Sequence, residues 1–175
     1  MLTLLLLRHA KSSWDAPALA DFDRPLAKRG IKSAPLMGRA IADLGLRPEL
    51  ILCSSAARTL ETLALALPEM GNIAAKIIND EAIYMATPET LISLLRRLPE
   101  GPDMPRTVMV VGHNPGLEEL ADELVGSGDE AARELMADKF PTAALAVIDF
   151  DMPRWRDICP GSGSLVNFLT PARLT

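Results

Sequence analysis

The sequence has few aromatic residues and few cysteines. Phe, Trp and Tyr make up only 4% of the 175 residues, although 49% are hydrophobic. The core must therefore be aliphatic, built from Leu, Ala, Ile, Val and Met. The two cysteines, Cys53 in an apolar run and Cys159 beside a proline, do not resemble a disulfide framework. We expect one globular domain spanning residues 1–175, without structural disulfides.

The chain also lacks an excess of basic charge and a long apolar run. A formal net charge of −5 argues against binding nucleic acid through a broad basic face. The opening MLTLLLLRH contains Thr3 and reaches Arg8 at once, unlike a secretory leader with its basic start and small-residue cleavage site. No later stretch is long and apolar enough to span a bilayer. We therefore expect a cytoplasmic protein that binds neither nucleic acid nor membrane.

Apolar runs alternate with segments of helical periodicity, which predicts an α/β fold. Strands are predicted at 2–7, 49–54, 75–79, 107–112, 143–150 and 164–169. Helices are predicted at 26–44, with irregular first turns at Gly30 and Pro35, and at 56–67, 88–98, 115–125 and 130–138. The alternation implies a mainly parallel sheet covered on both faces, a three-layer αβα sandwich. The last two strands, with no obvious helix between them, predict an antiparallel extension.

The only two histidines of the chain both follow predicted strands. Arg8 and His9 come directly after the first strand, and His113 comes directly after the strand at 107–112. Arg58 lies in the first turn of the helix that follows the second strand. If these strands are parallel neighbours, their carboxyl ends share one edge of the sheet. We then expect all four side chains to meet there.

These residue types predict a pocket for a phosphoryl group within an acidic protein. Guanidinium groups bind phosphate with two parallel hydrogen bonds, and a neutral imidazole can attack phosphorus to form a phosphoramidate that water later hydrolyses. Taken singly, Arg58 could pair with Glu61, and His113 could be a core histidine that donates to a carbonyl. A zinc site lacks a third ligand. The four residues at three strand ends together favour the phosphate pocket.

Three stretches, LLLLRHAKSSW, SSAARTLET and VMVVGHNPGLEEL, resemble in this order the motifs of the histidine phosphatase superfamily, the phosphoglycerate-mutase-like proteins. With DRPLAKRG, the set is similar to the short SixA branch and covers nearly the whole chain. The resemblance implies a phosphoglycerate-mutase-like fold and phosphorylation of His9. It also implies that Arg8, Arg58 and His113 bind the phosphoryl group, with no metal and no other cofactor. Three residues match less diagnostic positions and are candidate neighbours of the pocket: Lys11, Ser12 and Arg24.

The sequence departs from the larger members of the superfamily at the general acid. Those proteins carry a glutamate or aspartate just after the third strand or directly after the second histidine. Here Tyr84 or Met85 stands at the first place and Asn114 at the second. Four carboxylates remain as candidates: Glu81, which we expect to be an exposed loop residue, and Asp15, Asp21 and Asp23.

The pattern and the resemblance together predict a phosphatase that works through a phosphohistidine intermediate on His9. A protein carrying phosphohistidine is the leading substrate, because a protonated phosphohistidine releases a neutral imidazole and has little need of a general acid. A small phosphate monoester is the alternative substrate. A non-catalytic module that binds phosphoproteins is a further alternative, but it would not require His9.

Overall fold

The strands of the protein form one seven-stranded sheet in a computed structural model that describes residues 1–175. Their order across the sheet is β3-β2-β4-β1-β6-β7-β5. The strands are β1 Leu2–Arg8, β2 Leu50–Ser54, β3 Lys76–Asp80, β4 Thr107–Gly112, β5 Val125–Gly128, β6 Leu145–Phe150 and β7 Gly163–Leu169. β1 to β4 are mutually parallel, whereas β6 runs antiparallel to both β1 and β7. The predicted mainly parallel sheet with an antiparallel extension is confirmed.

Helices cover both faces of this sheet. They are α1 Lys28–Asp43, α2 Ala57–Ala66, α3 Pro88–Arg96, α4 Gly116–Leu124, α5 Glu130–Asp138 and α6 Pro171–Leu174. Short 3-10 turns include Asp21–Asp23 and Glu81–Ile83. None of the helices is both long enough and apolar enough to span a membrane.

The leucines of β1 serve two separate cores. Leu4 and Leu6 belong to a cluster with α3 and α4, whereas Leu5 and Leu7 belong to a cluster with α1. Successive side chains of a strand point to opposite faces, so a strand with helices on both sides is apolar at every position. This explains the unbroken leucine run and confirms the three-layer sandwich.

The expectation of irregular first turns in α1 is wrong, because the helix is continuous past Gly30 and Pro35. Pro35 removes one backbone donor, but the carbonyl it leaves free is that of Ile31, a residue exposed to solvent. Gly30 is needed for packing, since a Cβ at this position would lie 2.2 Å from the carbonyl oxygen of Lys11. Glycine thus lets α1 approach the loop that follows β1.

The sequence does not predict the edge strand β5, and Val125, its first residue, lies at the end of the helix predicted at 115–125. The segment reads Val-Gly-Ser-Gly and has little intrinsic strand propensity. It is held instead by parallel pairing with β7. β5 therefore depends on a tertiary contact that local sequence does not encode.

Candidate active site

The predicted site residues meet at one edge of the sheet. β1 and β4 are adjacent and parallel, with Arg8 opposite Gly112, and β2 lies on the other side of β4. The backbone N–H of His9 donates to the carbonyl of Gly112 at 3.1 Å. The rings of His9 and His113 lie 5.3 Å apart between centroids. The carboxyl ends of β1 and β4 thus bring the two histidines together, as expected.

The His9 ring is fixed in one tautomer by its own backbone. Nδ1 lies 2.7 Å from the carbonyl oxygen of Ala10, and because a carbonyl only accepts, Nδ1 carries the proton. Nε2 therefore keeps its lone pair. Burial lowers the pKa of His9 to about 4; the hydrogen bond to Ala10 opposes this effect, and the nearby arginines reinforce it. The ring is neutral at neutral pH.

The backbone around His9 is held from both sides. The carbonyl of His9 accepts from the N–H of Ala143 at 2.9 Å, and the N–H of Ala10 donates to the Thr62 hydroxyl at 3.0 Å. Ala143 is buried and has a φ of 62°, a left-handed conformation that is costly for alanine. The surrounding packing maintains this strained residue directly against the backbone of His9.

Arg58 is buried in the first turn of α2 and pairs with Asp21. Its Nη1 donates to the Asp21 carbonyl at 2.7 Å, and its Nη2 donates to Oδ2 at 3.0 Å. The alternative pairing with Glu61 is wrong, because that carboxylate accepts instead from the N–H of Leu26 at 2.7 Å. Arg58 is thus held by a residue of the first loop and not by its own helix.

Asp21 is the one candidate carboxylate that reaches the site. It accepts hydrogen bonds from the Tyr84 hydroxyl and from the guanidinium groups of Arg58 and Arg24. The Tyr84 hydrogen bond, followed by those from the two arginines, lowers the pKa of Asp21 to about 2. The carboxyl group is therefore ionised at neutral pH and has no proton to give to a leaving group.

The remaining three candidate carboxylates lie outside this cluster. Glu81 is exposed, as expected, and so are Asp15 and Asp23. No hydrogen bond or ion pair joins any of the three to the arginines or histidines of the site. The structure therefore brings none of them into contact with the predicted site.

His113 faces the site from the end of β4. Its Nε2 lies 2.7 Å from the hydroxyl of Ser54, so its partner is not a carbonyl as the core-histidine alternative supposed. Burial, followed by the neighbouring His9 and Arg58, lowers the pKa of His113 to about 3. The Tyr84 ring packs edge-on against it at 5.3 Å. This ring is also neutral at neutral pH.

The Arg8 side chain is held by the segment that precedes β6. Its Nη1 donates to the carbonyl of Phe140 at 3.0 Å, and the side-chain amide of Asn114 donates to the same carbonyl at 2.9 Å. Asn114 thus orients the loop that holds Arg8.

Three buried side-chain nitrogens have no hydrogen-bond partner within the chain: Arg8 Nε, Arg58 Nε and His113 Nδ1. An unpaired buried polar group costs about 1–3 kcal/mol, so three in one site indicate that a ligand or water satisfies them. All three belong to residues that the sequence assigned to phosphoryl binding. The arrangement can present N–H groups to the oxygens of one small anion.

The candidate neighbours have unequal roles. Arg24 is buried, donates to the Ser12 hydroxyl at 2.9 Å and stacks over the Trp14 ring at 3.6 Å. Lys11 is half-buried, and its backbone carbonyl receives the N–H of Ala27 at 2.8 Å. Arg24 and Ser12 therefore support the site through Asp21 and the first loop, whereas Lys11 connects that loop to α1.

The sequence does not predict the hydrogen bond between Tyr84 and Asp21 or the one between Ser54 and His113. The spacing of Asp21 and Arg24 in DFDR was an available signal, since the two form an ion pair across three residues. No group of three or more His, Cys, Asp or Glu side chains lies close enough to hold a metal ion.

Known proteins resemble this chain in sequence and fold. The family model for the histidine phosphatase superfamily (branch 1) matches residues 4–83. SixA from Agrobacterium tumefaciens, a proposed phosphohistidine phosphatase, is 34% identical, with a TM-score of 0.79 over 97% of this chain and 98% of that one. Its counterpart from Nakamurella multipartitia is 27% identical, with a TM-score of 0.81 over 97% and 96% of the two chains.

An uncharacterized protein of Mycobacterium tuberculosis is 37% identical over 94% of this chain and 99% of its own length. These similarities extend across all the strands and helices that position the site. On the combined evidence of sequence, fold and site, the chain is a SixA-like phosphatase that belongs to the histidine phosphatase superfamily.

Proposed function

We propose that residues 1–175 act as one phosphatase domain that transfers a phosphoryl group first to Nε2 of His9 and then to water. The observation that carries this proposal is the fixed tautomer of His9, with Nδ1 bonded to the Ala10 carbonyl, beside three unpartnered buried nitrogens. A nucleophile with a free lone pair and an anion cradle are what phosphoryl transfer requires.

In the first step, Nε2 of His9 attacks phosphorus and a P–N bond forms. The bond from phosphorus to the leaving group breaks, and its electron pair goes to the leaving atom. Arg8, Arg58 and His113 donate hydrogen bonds to the phosphoryl oxygens. The Ser54 hydroxyl can donate a hydrogen bond to Nε2 of His113, in which case the ring proton of His113 is on the unpartnered Nδ1.

In the second step, water attacks the phosphorus of the phosphoramidate. The P–N bond breaks, its electron pair returns to Nε2, and both protons of the water remain on the phosphate, which is released as H2PO4⁻. The Ala10 carbonyl stabilises the positive charge that the His9 ring carries in the intermediate. The two arginines supply positive charge at the phosphoryl group, so the reaction is proposed to proceed without a metal ion.

The absence of a free proton donor at Asp21 and Tyr84 supports phosphohistidine as the substrate. Asp21 is ionised, and the Tyr84 hydroxyl donates a hydrogen bond to that carboxylate. Neither group is free to protonate an alkoxide. A phosphohistidine protonated on its distal nitrogen instead leaves as neutral imidazole, since the unperturbed pKa of imidazole is about 6.5.

Exposed apolar side chains beside the site support a protein as the carrier of that phosphohistidine. Trp14, which packs on Arg24, is 69% exposed, and Met85, which follows Tyr84, is 48% exposed. Large apolar groups left in solvent at the mouth of a site are typical of surfaces that contact another protein. The similarity to SixA, a proposed phosphohistidine phosphatase, points the same way.

The test is a series of kcat/KM values across leaving groups. Phosphohistidine and activated aryl phosphates should turn over readily, whereas phosphoserine and sugar phosphates should be slower by about 10²- to 10⁴-fold, the usual worth of a positioned acid. Glu81→Gln should leave the series unchanged, and His9→Asn should abolish turnover of every substrate.

Equal rates across the series would contradict this proposal. A loss in Glu81→Gln confined to alkyl esters would identify a general acid and indicate a small phosphate monoester as the substrate. Binding of phosphoproteins without any turnover would instead indicate a non-catalytic module.

A further inference from the structure

A groove of about 570 Å³ opens at the same edge of the sheet as the active site. It lies between the first turns of α1, the carboxyl end of α5 and the segment that follows β7. β6 begins opposite the end of β1, and β7 ends opposite that same point. The segments before β6 and after β7 are therefore neighbours of the loop that carries His9.

Four cations line this groove: Arg29, Lys32, Lys139 and Arg173. All four are exposed, and none forms an ion pair. Asp138 is the single acidic residue among the lining residues. In a chain with a net charge of −5, such a group of unpaired cations makes this surface a local exception.

Both walls of the groove are tied to the catalytic loops. On one wall, α1 packs through Gly30 against the backbone of Lys11, two residues after His9. On the other wall, Lys139 precedes Phe140, whose carbonyl holds Arg8. A chain segment seated in the groove would therefore lie next to the loops that carry His9 and hold Arg8.

We propose that this groove docks an acidic segment of the phosphorylated protein on which the enzyme acts. This inference rests on the proposed function and identifies the partner as a protein that carries Asp or Glu next to its phosphohistidine. The floor includes the apolar side chains Leu36, Leu135 and Phe168, which suits a polypeptide with mixed apolar and acidic residues. The cations are spread along the walls and exposed, unlike the buried cluster that holds a single phosphate.

The test compares two double variants with equal changes of charge. Lys32→Gln/Arg173→Gln removes two cations of the groove. Lys76→Gln/Arg106→Gln is the matched control, because these exposed residues lie at the start of β3 and just before β4, at the opposite edge of the sheet. Both variants should hydrolyse p-nitrophenyl phosphate as the unsubstituted protein does, within about twofold.

Binding is measured by fluorescence anisotropy with an unphosphorylated peptide that alternates glutamate and leucine, against a glutamine–leucine peptide of equal length. Two exposed ion pairs contribute about threefold to tenfold in affinity at low salt. The unsubstituted protein and the control variant should prefer the glutamate peptide by that factor, and the groove variant should not. Raising the salt concentration to 0.5 M should remove the preference.

Hydrolysis is measured with a phosphohistidine peptide flanked by glutamates and with its glutamine-flanked counterpart. The same preference should appear in kcat/KM and should disappear in the groove variant. If phosphohistidine is hydrolysed but neither assay shows a preference for the glutamate peptide that depends on Lys32 and Arg173, the docking proposal is wrong and the proposed function stands. If the peptide binds as expected but phosphohistidine is not hydrolysed, the proposed function fails.

Two further outcomes would assign the groove to another occupant and overturn the proposal. One is a dimer in sedimentation experiments that is lost only in the groove variant. The other is binding to phosphatidylserine vesicles that requires Lys32 and Arg173 while the glutamate peptide shows no preference.

Discussion

Replacing Arg58 with lysine should cost far more activity than the retained positive charge suggests. The guanidinium group is 3% exposed, donates two hydrogen bonds to Asp21 and still has a buried Nε–H without a partner. A lysine ammonium has no planar fork, so it cannot hold Asp21 and a phosphoryl oxygen in the same geometry. Loss of one preorganised donor to transition-state charge costs about 3 kcal/mol, which corresponds to a decrease in kcat/KM of about 100-fold.

The assay is kcat/KM for p-nitrophenyl phosphate, with Asp21→Asn as the control. That variant weakens the Arg58–Asp21 ion pair but keeps the guanidinium group. Because the Asp21 side chain is 47% exposed, the pair contributes only about 0–1 kcal/mol, and the control should lose less than about tenfold in activity. Urea unfolding of both variants separates lost stability from lost catalysis.

Activity of Arg58→Lys within about threefold of the unsubstituted protein would refute the assignment of Arg58 to the phosphoryl group. Equal losses in Arg58→Lys and Asp21→Asn would show that Arg58 acts only by holding the first loop.

Three further substitutions test other parts of the structure. The free energy of unfolding should fall by about 5 kcal/mol as pH is lowered from 6.5 to 4, because the unfolded state protonates His9 and His113 near their ordinary pKa, whereas in the folded state their pKa values are about 4 and about 3. His9→Asn should remove about half of this fall from urea-unfolding profiles, and an unchanged slope would contradict the lowered pKa of His9. Gly30→Ala should destabilise the fold by about 1–3 kcal/mol and reduce kcat/KM, because its Cβ would meet the Lys11 carbonyl. Gly45→Asn is the control: Gly45 has a φ of 71° and open space around it, so this substitution should change little in the same thermal-melting and activity assays. Tyr84→Phe should keep kcat/KM for phosphohistidine within about threefold, and a selective loss on alkyl phosphates would instead identify its hydroxyl as an acid.

The convergence of the site could be predicted because it follows from strand order alone. His9 and His113 each stand directly after an apolar run, and parallel strands place their carboxyl ends at one edge. Leu5 and Leu6 belong to different cores, which is why β1 has no polar alternation until it reaches Arg8. Because paired strands have a regular geometry, contacts between residues far apart in sequence can be predicted at their ends.

The cluster around Asp21 could not be predicted, because sequence does not fix the path of a loop. Asp21 lies 37 residues from Arg58 and 63 residues from Tyr84, and it competed with three other carboxylates that have the same chemistry. Only the 3-10 turn Asp21–Asp23 and the burial of Arg24 decide which carboxylate reaches the site. The continuity of α1 through Pro35 likewise depends on packing and on solvent access.

The most direct test of the account is to trap the phosphoryl group on His9. The protein is mixed with a radiolabelled phosphohistidine peptide, quenched rapidly without acid, digested and mapped, with His113→Asn as a variant that keeps the nucleophile. One labelled peptide that contains His9 is expected, and its label should be stable in alkali and lost in mild acid, as for a phosphoramidate. A label on serine, or turnover by the unsubstituted protein without any label on His9, would contradict it.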